Sequence, residues 1–99
     1  MTENKKPYVI VRTYSAGVFA GNLATRKGQE VTLENARRIW YWDGANSLSE
    51  LAMNGTSKPE NCKFPIAVAK IELTQAIEII YCTKTAEQSI KGVPEWSKK

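Results

Sequence analysis

The spacing of apolar and polar residues predicts a run of short strands with one helix set among them. Tyr8-Val9-Ile10-Val11-Arg12-Thr13-Tyr14 is dense in β-branched and aromatic residues and reads as a first strand. Ser15-Ala16-Gly17 supplies a tight turn, and Val18 to Ala24 follows as a second strand. Within it, Gly21 marks a bend or a close backbone approach. Thr25 to Gln29 is the next turn, with Gly28 at the position that requires positive φ. Glu30 to Asn35 alternates cleanly, with Val31 and Leu33 inward. Asn35-Ala36 interrupts the pattern as a bulge or a tight turn, and Ala36 to Trp42 resumes it. On that continued strand Arg38, Trp40 and Trp42 share one face and Tyr41 takes the other.

Asp43-Gly44-Ala45-Asn46 breaks the strand pattern. Ser47-Leu48-Ser49-Glu50 is a capping box, Leu48, Leu51 and Ala52 form an apolar stripe, and Asn54-Gly55 stops the helix after about two turns. A polar loop from Thr56 to Lys63 follows. Ile66 to Ala69 and Lys70 to Leu73 carry strand character, Thr74-Gln75 turns, and Ala76 to Cys82 is the last strand. Thr85 to Ile90 forms a final helical turn, and Trp96 is expected to lie as a lid on the barrel. Residues 1–6 read as a flexible arm and 97–99 as a flexible tail around a single domain spanning 1–99. The expected fold is mainly β: a small SH3/Sm-like barrel with a short helix inserted before the last strands.

Composition adds limits. The hydrophobic share of 42% and charged share of 24% suit a soluble globular domain, with no apolar run long enough to span a membrane. With no export signal, the expected compartment is the cytosol, and Cys62 and Cys82 are expected as free thiols. A net charge of +4 favours anionic partners. The chain has no histidine, and Asp43 is its single aspartate. Neither a metal site, nor a cofactor, nor a paired-carboxylate or nucleophile–base arrangement is therefore expected, and the chain reads as a binding protein rather than an enzyme.

The sharpest chemical constellation is Arg37, Arg38, Trp40 and Trp42, with Asn46 and Ser47 at the helix start. Aromatic faces stack on bases, arginine forks grip phosphate, and helix-terminal N–H groups receive anions. The same residues also suit a core tryptophan and a subunit interface, since Trp and Arg are frequent at protein contacts. Arg12 and Tyr14, beside the Ser-Ala-Gly turn, form a second ligand edge or an ordinary hairpin.

Two resemblances follow from the motifs. The order Val11 to Leu23, a turn, then Val31-Thr32-Leu33-Glu34-Asn35-Ala36, with Ile71 to Ile80 closing, resembles the strand plan of Sm-like small barrels. That plan implies single-stranded RNA as one partner class. The loop Arg26-Lys27-Gly28-Gln29 differs from the Asp- and Asn-bearing loop of Sm-like RNA binders, so their RNA-contacting residues do not carry over. On the motifs Val11-Arg12-Thr13-Tyr14-Ser15-Ala16-Gly17-Val18-Phe19-Ala20-Gly21 and Asn35-Ala36-Arg37-Arg38, Trp40-Tyr41-Trp42, Gly44-Ala45, Ser47-Leu48 and Leu51-Ala52, the chain is similar over most of its length to a family of small uncharacterised phage and host proteins. That likeness implies a phage accessory protein. The expected role is to sequester a small nucleotide-like anion, such as a nucleotide-derived immune signal, between protomers of a homo-oligomer. An Sm-like RNA binder and a protein–protein inhibitor of a host factor are the alternatives.

Overall fold

The computed structural model describes residues 6–96. Five strands form one antiparallel sheet: β1 (Tyr8–Thr13), β2 (Val18–Lys27), β3 (Glu30–Arg38), β4 (Val68–Leu73) and β5 (Ala76–Tyr81). Their order across the sheet is β4-β3-β2-β1-β5. Strands β4 and β5 stand at opposite ends of that order, yet only Thr74 and Gln75 join them. A two-residue link cannot cross a flat five-stranded sheet, in which neighbouring strands lie about 4.8 Å apart. The sheet must therefore curl until its two edges meet at this corner. Two hydrogen bonds pin the closure: Tyr14 N donates to Gln75 O, and Ala76 N donates to Gln29 O, both at 3.0 Å. This is the small β-barrel that the strand spacing predicts.

Close approach of strands shapes the curl. A Cβ on Gly21 would lie 3.0 Å from Ala36 Cα and 3.0 Å from Glu34 O, so β2 and β3 bend together only because this position has no side chain. Opposite it, β3 carries a bulge. Ala20 pairs with Arg37 and Asn22 with Glu34, so β3 spends three steps where β2 spends two. Asn35 takes up the extra residue with φ of 51°, a left-handed conformation that asparagine tolerates better than most residues. The Asn35-Ala36 interruption is thus a bulge rather than a turn.

Two apolar clusters flank the sheet. The barrel interior holds Val9, Val11, Phe19, Val31, Leu33, Ala36, Leu73 and Ala76. The outer side of β1 and β2 supplies Tyr8, Ile10 and Ala20 to a second cluster with Leu51, Ala52, Phe64 and Ile90. β1 is consequently buried on both faces, which explains its unbroken run of apolar residues. Two helices cover this side: α1 (Leu48–Asn54), inserted between β3 and β4, and α2 (Lys84–Lys91) after β5.

Several local expectations need correction. β3 ends at Arg38 and does not run on to Trp42; Tyr41 makes only an isolated bridge to Lys63. β4 is one strand from Val68 to Leu73, leaving Ile66 outside it. The C-terminal turn is a full helix of eight residues, capped by Thr83, whose side chain accepts from Ala86 N. Lys6 is held: Asn22 Nδ2 donates to its carbonyl at 3.1 Å, and its Nζ sits 2.9 Å from Glu34 Oε1. The rest of the expected arm, 1–5, and the tail 97–99 lie outside the described residues.

Candidate functional site

The bulge at Asn35 decides what the two adjacent arginines do. Val31 and Leu33 face the barrel interior, and without an extra residue Arg37 would follow them there. The bulge shifts the alternation by one. Ala36 takes the interior position, and Arg37 turns toward the helical layer. There it is only 7% exposed. Its guanidinium donates to Val93 O at 2.7 Å, Phe64 O at 2.8 Å, Ile90 O at 3.1 Å and Pro65 O at 3.4 Å, and lies 5.4 Å from the Phe64 ring centre. Burial lowers its pKa from the ordinary value, while the nearby Tyr8 and Glu95 act the other way. Arg37 thus ties the segment before β4 to the end of α2, with its donors spent on carbonyls.

Arg38 is exposed. Its guanidinium carbon lies 4.5 Å from the Phe19 ring centre, and Nη1 donates to Ala16 O at 2.6 Å. That bond attaches it to the β1–β2 turn, where Tyr14 is 77% exposed. Trp40 and Trp42 part company. Trp42 packs against the helical-layer cluster, whereas Trp40 is 66% exposed. Tyr41, half exposed, pairs with Lys63, whose N–H donates to Tyr41 O at 2.8 Å while its carbonyl accepts from Trp40 N at 3.1 Å. This pairing sets Lys63 Nζ 5.9 Å from the Tyr41 ring centre and 5.6 Å from that of Trp96. Trp96 is held by its N–H to Phe64 O at 3.0 Å. Lys63 therefore sits with Tyr41 and Trp96, its carbonyl bonded to the backbone of the exposed Trp40, while Arg38 lies over Phe19 at the β1–β2 turn.

The remaining candidates are elsewhere or already engaged. Arg12 pairs with Glu78 across β1 and β5 at 2.9 Å. Ser47 Oγ accepts from Glu50 N, and Glu50 Oε1 accepts from Asn46 N, so the start of α1 is satisfied by its own residues. Asp43 accepts from Asn61 Nδ2 at 3.0 Å and Gly44 N at 2.8 Å, which hold its carboxyl below the usual range. Among the described residues no cluster of three His, Cys, Asp or Glu side chains could hold a metal, and no helix is long and apolar enough to cross a membrane.

A second feature, built from residues distant in sequence, is a cleft beside Tyr8. One lobe of about 660 Å³ is lined by Lys6, Lys84 and Lys91 with Glu34 and Glu87. A second lobe of about 530 Å³ adjoins it, and Tyr8, Asn35 and Lys91 line both. Lys91 Nζ lies 5.2 Å from the Tyr8 ring centre. Tyr8 is 4% exposed, and its hydroxyl has no hydrogen-bond partner among the described residues. Burial, with Cys82 nearby, raises its pKa well above the ordinary phenol value, so the hydroxyl stays protonated. One signal in the sequence was available: Asn35 falls where the alternation breaks, and polar residues in left-handed backbone often mark sites.

Searches of curated proteins and of solved structures return no match. The model of a domain of unknown function (DUF6948) matches residues 6–90, nearly the whole of the folded unit just described, and the chain belongs to that family.

Proposed function

We propose that this is a non-catalytic binding protein that holds a nucleotide-type anion at Lys63, Tyr41 and Trp96, with Trp40 and Arg38 on the adjoining segment. The observation that carries this reading is Lys63, set between two aromatic rings beside an exposed tryptophan. A base stacks on Trp40 or Tyr41, and Lys63 and Arg38 neutralise phosphate. The absence of histidine and of an aspartate pair in the sequence supports binding without chemistry. In a phage, such a protein would work in the host cytosol by sequestering a nucleotide-derived immune signal. Homo-oligomerisation fits the two sheet ends, where Val68 on β4 and Ile77 and Tyr81 on β5 are exposed. Joining protomers would also enclose a face that is open in the single chain.

A second reading, single-stranded RNA, is favoured by that openness, since successive bases stack along an exposed aromatic surface without needing a pocket. Tryptophan fluorescence and calorimetry separate the two. Cyclic and ADP-ribose-type nucleotides form one arm, and a short single-stranded RNA at two salt concentrations forms the other. A small-ligand site gives saturable quenching with the nucleotides. RNA binding gives a signal that falls steeply with salt. In either case Trp40→Ala should weaken binding about tenfold or more, as loss of a stacked base does. No heat and no quenching in either arm would sink the proposal.

A further inference from the structure

The two end strands of the sheet present their free edges differently. β5 carries a register shift where Arg12 and Thr13 meet Glu78 and Ala76, a bulge of the kind that blunts an edge against pairing. Its one carboxylate, Glu78, is held by Arg12 at 2.9 Å. β4 is regular. From Val68 to Leu73 it pairs with β3 in a single register, and among the described residues no other backbone bond involves it. Ile71 and Leu73 turn toward the barrel interior, which leaves Lys70 and Glu72 exposed on the outer face. Lys70 stands across from Glu34, whose carboxylate is bonded to Lys6, and Glu72 stands across from Thr32. Neither Lys70 nor Glu72 has an ion-pair partner among the described residues.

An unbulged edge with opposite charges two residues apart is complementary to its own copy. In an antiparallel pair, directly opposite residues point to the same face, so the two-fold axis of such a pair passes through a residue. An axis at Lys70 sets lysine against lysine, and one at Glu72 sets glutamate against glutamate, both unfavourable. An axis at Ile71 sets Lys70 against the partner's Glu72, and Glu72 against the partner's Lys70. We infer that β4 pairs antiparallel with β4 of a second copy about an axis at Ile71, joining two five-stranded sheets through their edges and tying the outer faces by two Lys–Glu ion pairs. The same register places Ile71 against its own copy and Ala69 against the partner's Leu73. One edge of six residues is smaller than a standard interface, so the dimer is reversible, with Kd in the micromolar range. This pairing rests on the homo-oligomer proposed above and gives it an interface, but it needs no ligand.

The test is analytical ultracentrifugation of the full chain, without ligand, from about 1 μM to about 1 mM, a span that covers weak to moderate association. The mass should rise from monomer to dimer across it. Lys70→Glu and Glu72→Lys each set two like-charged pairs across the axis, so each should raise Kd about tenfold. The double variant Lys70→Glu/Glu72→Lys reverses both pairs and should return Kd to within about threefold of the parent. An equal mixture of the two single variants should also associate, because each then faces the opposite charge. That recovery requires both variants to be folded, so it separates lost pairing from a lost fold. Trp40→Ala should dimerise as the parent does. Four results would overturn the inference: a monomer at every concentration; single variants that associate as tightly as the parent; a double variant no better than the singles, which would place β4 against a different edge or surface; or a mixture that stays monomeric. With no nucleotide present, none of these outcomes bears on nucleotide binding, and an oligomer indifferent to the charge changes would keep the homo-oligomer while removing this interface.

Discussion

The two sides of the sheet are filled by different rules. The barrel interior is packed with apolar side chains, from Val9 and Val11 through Phe19, Val31 and Leu33 to Leu73. The helical side buries Tyr8, Arg37 and Cys62 among its aliphatic residues, with Cys82 packed against it. Interior positions are interchangeable in kind, since any apolar side chain of the right volume supports the same curl. Positions on the helical side are not, because each polar group there needs its own partner. Arg37 has four carbonyls and Tyr8 has none.

Arg37→Ala tests this contrast with the largest expected effect. It would leave the Val93 carbonyl without a donor, take one donor each from the carbonyls of Phe64 and Ile90, which keep the N–H groups of Trp96 and Val93, and free α2 from the segment before β4. The expected cost is about 3 to 5 kcal/mol in urea denaturation, comparable to or above a core Leu33→Ala. Arg37→Lys should recover little, because a single ammonium cannot reproduce the planar fork. A loss under about 1 kcal/mol would mean that water reaches those carbonyls, and the contrast between the two sides would collapse.

A smaller effect follows from the titrating groups on the helical side. Burial, with Glu87 adding to it, pushes the Cys82 thiol up to about 11, and burial likewise raises Tyr8. In the folded chain both groups keep their protons where the unfolded chain has lost them, so the unfolded state binds fewer protons in that window. Stability should therefore be full below about pH 9, the ordinary thiol value, and fall as pH rises toward about 11. Urea midpoints measured across this range should drop in the parent and flatten in Tyr8→Phe/Cys82→Ser. An equally steep drop in the double variant would place the alkaline sensitivity elsewhere.

Much of this fold was readable because period-two alternation and turn residues report directly on a half-buried strand. Val31 and Leu33, the Gly28 turn, the Thr74-Gln75 corner and the Ser47 cap all follow from such local rules. The roles of the arginines were not readable. One extra residue at Asn35 reverses the facing of everything after it, and whether a break is a bulge or a turn depends on the partner strand. The Tyr8 cleft was hidden for a different reason. Its walls come from β1, β3 and α2, distant in sequence, and an unmatched hydroxyl is a property of the assembled surroundings rather than of the residue. Lys63 was missed likewise, since its two rings come from Tyr41 and Trp96.

The smallest effect on stability separates the two tryptophans that a continuous strand would have put side by side. Trp42 packs on the cluster that includes Leu51 and Phe64, so Trp42→Ala should cost about 2 to 3 kcal/mol, below the cost of truncating a fully buried aromatic. Trp40 leaves 66% of its surface in water, so Trp40→Ala should change stability by no more than about 0.5 kcal/mol. The two variants should also differ in fluorescence. Losing Trp42 removes emission from a partly shielded indole and leaves the spectrum red-shifted, whereas losing Trp40 removes the wetter one and shifts it blue. If Trp40→Ala proved as destabilising as Trp42→Ala, the exposed indole would have to be covered in the native protein, by a second protomer or by residues outside 6–96. The denaturation midpoint would then depend on protein concentration in the first case and not in the second.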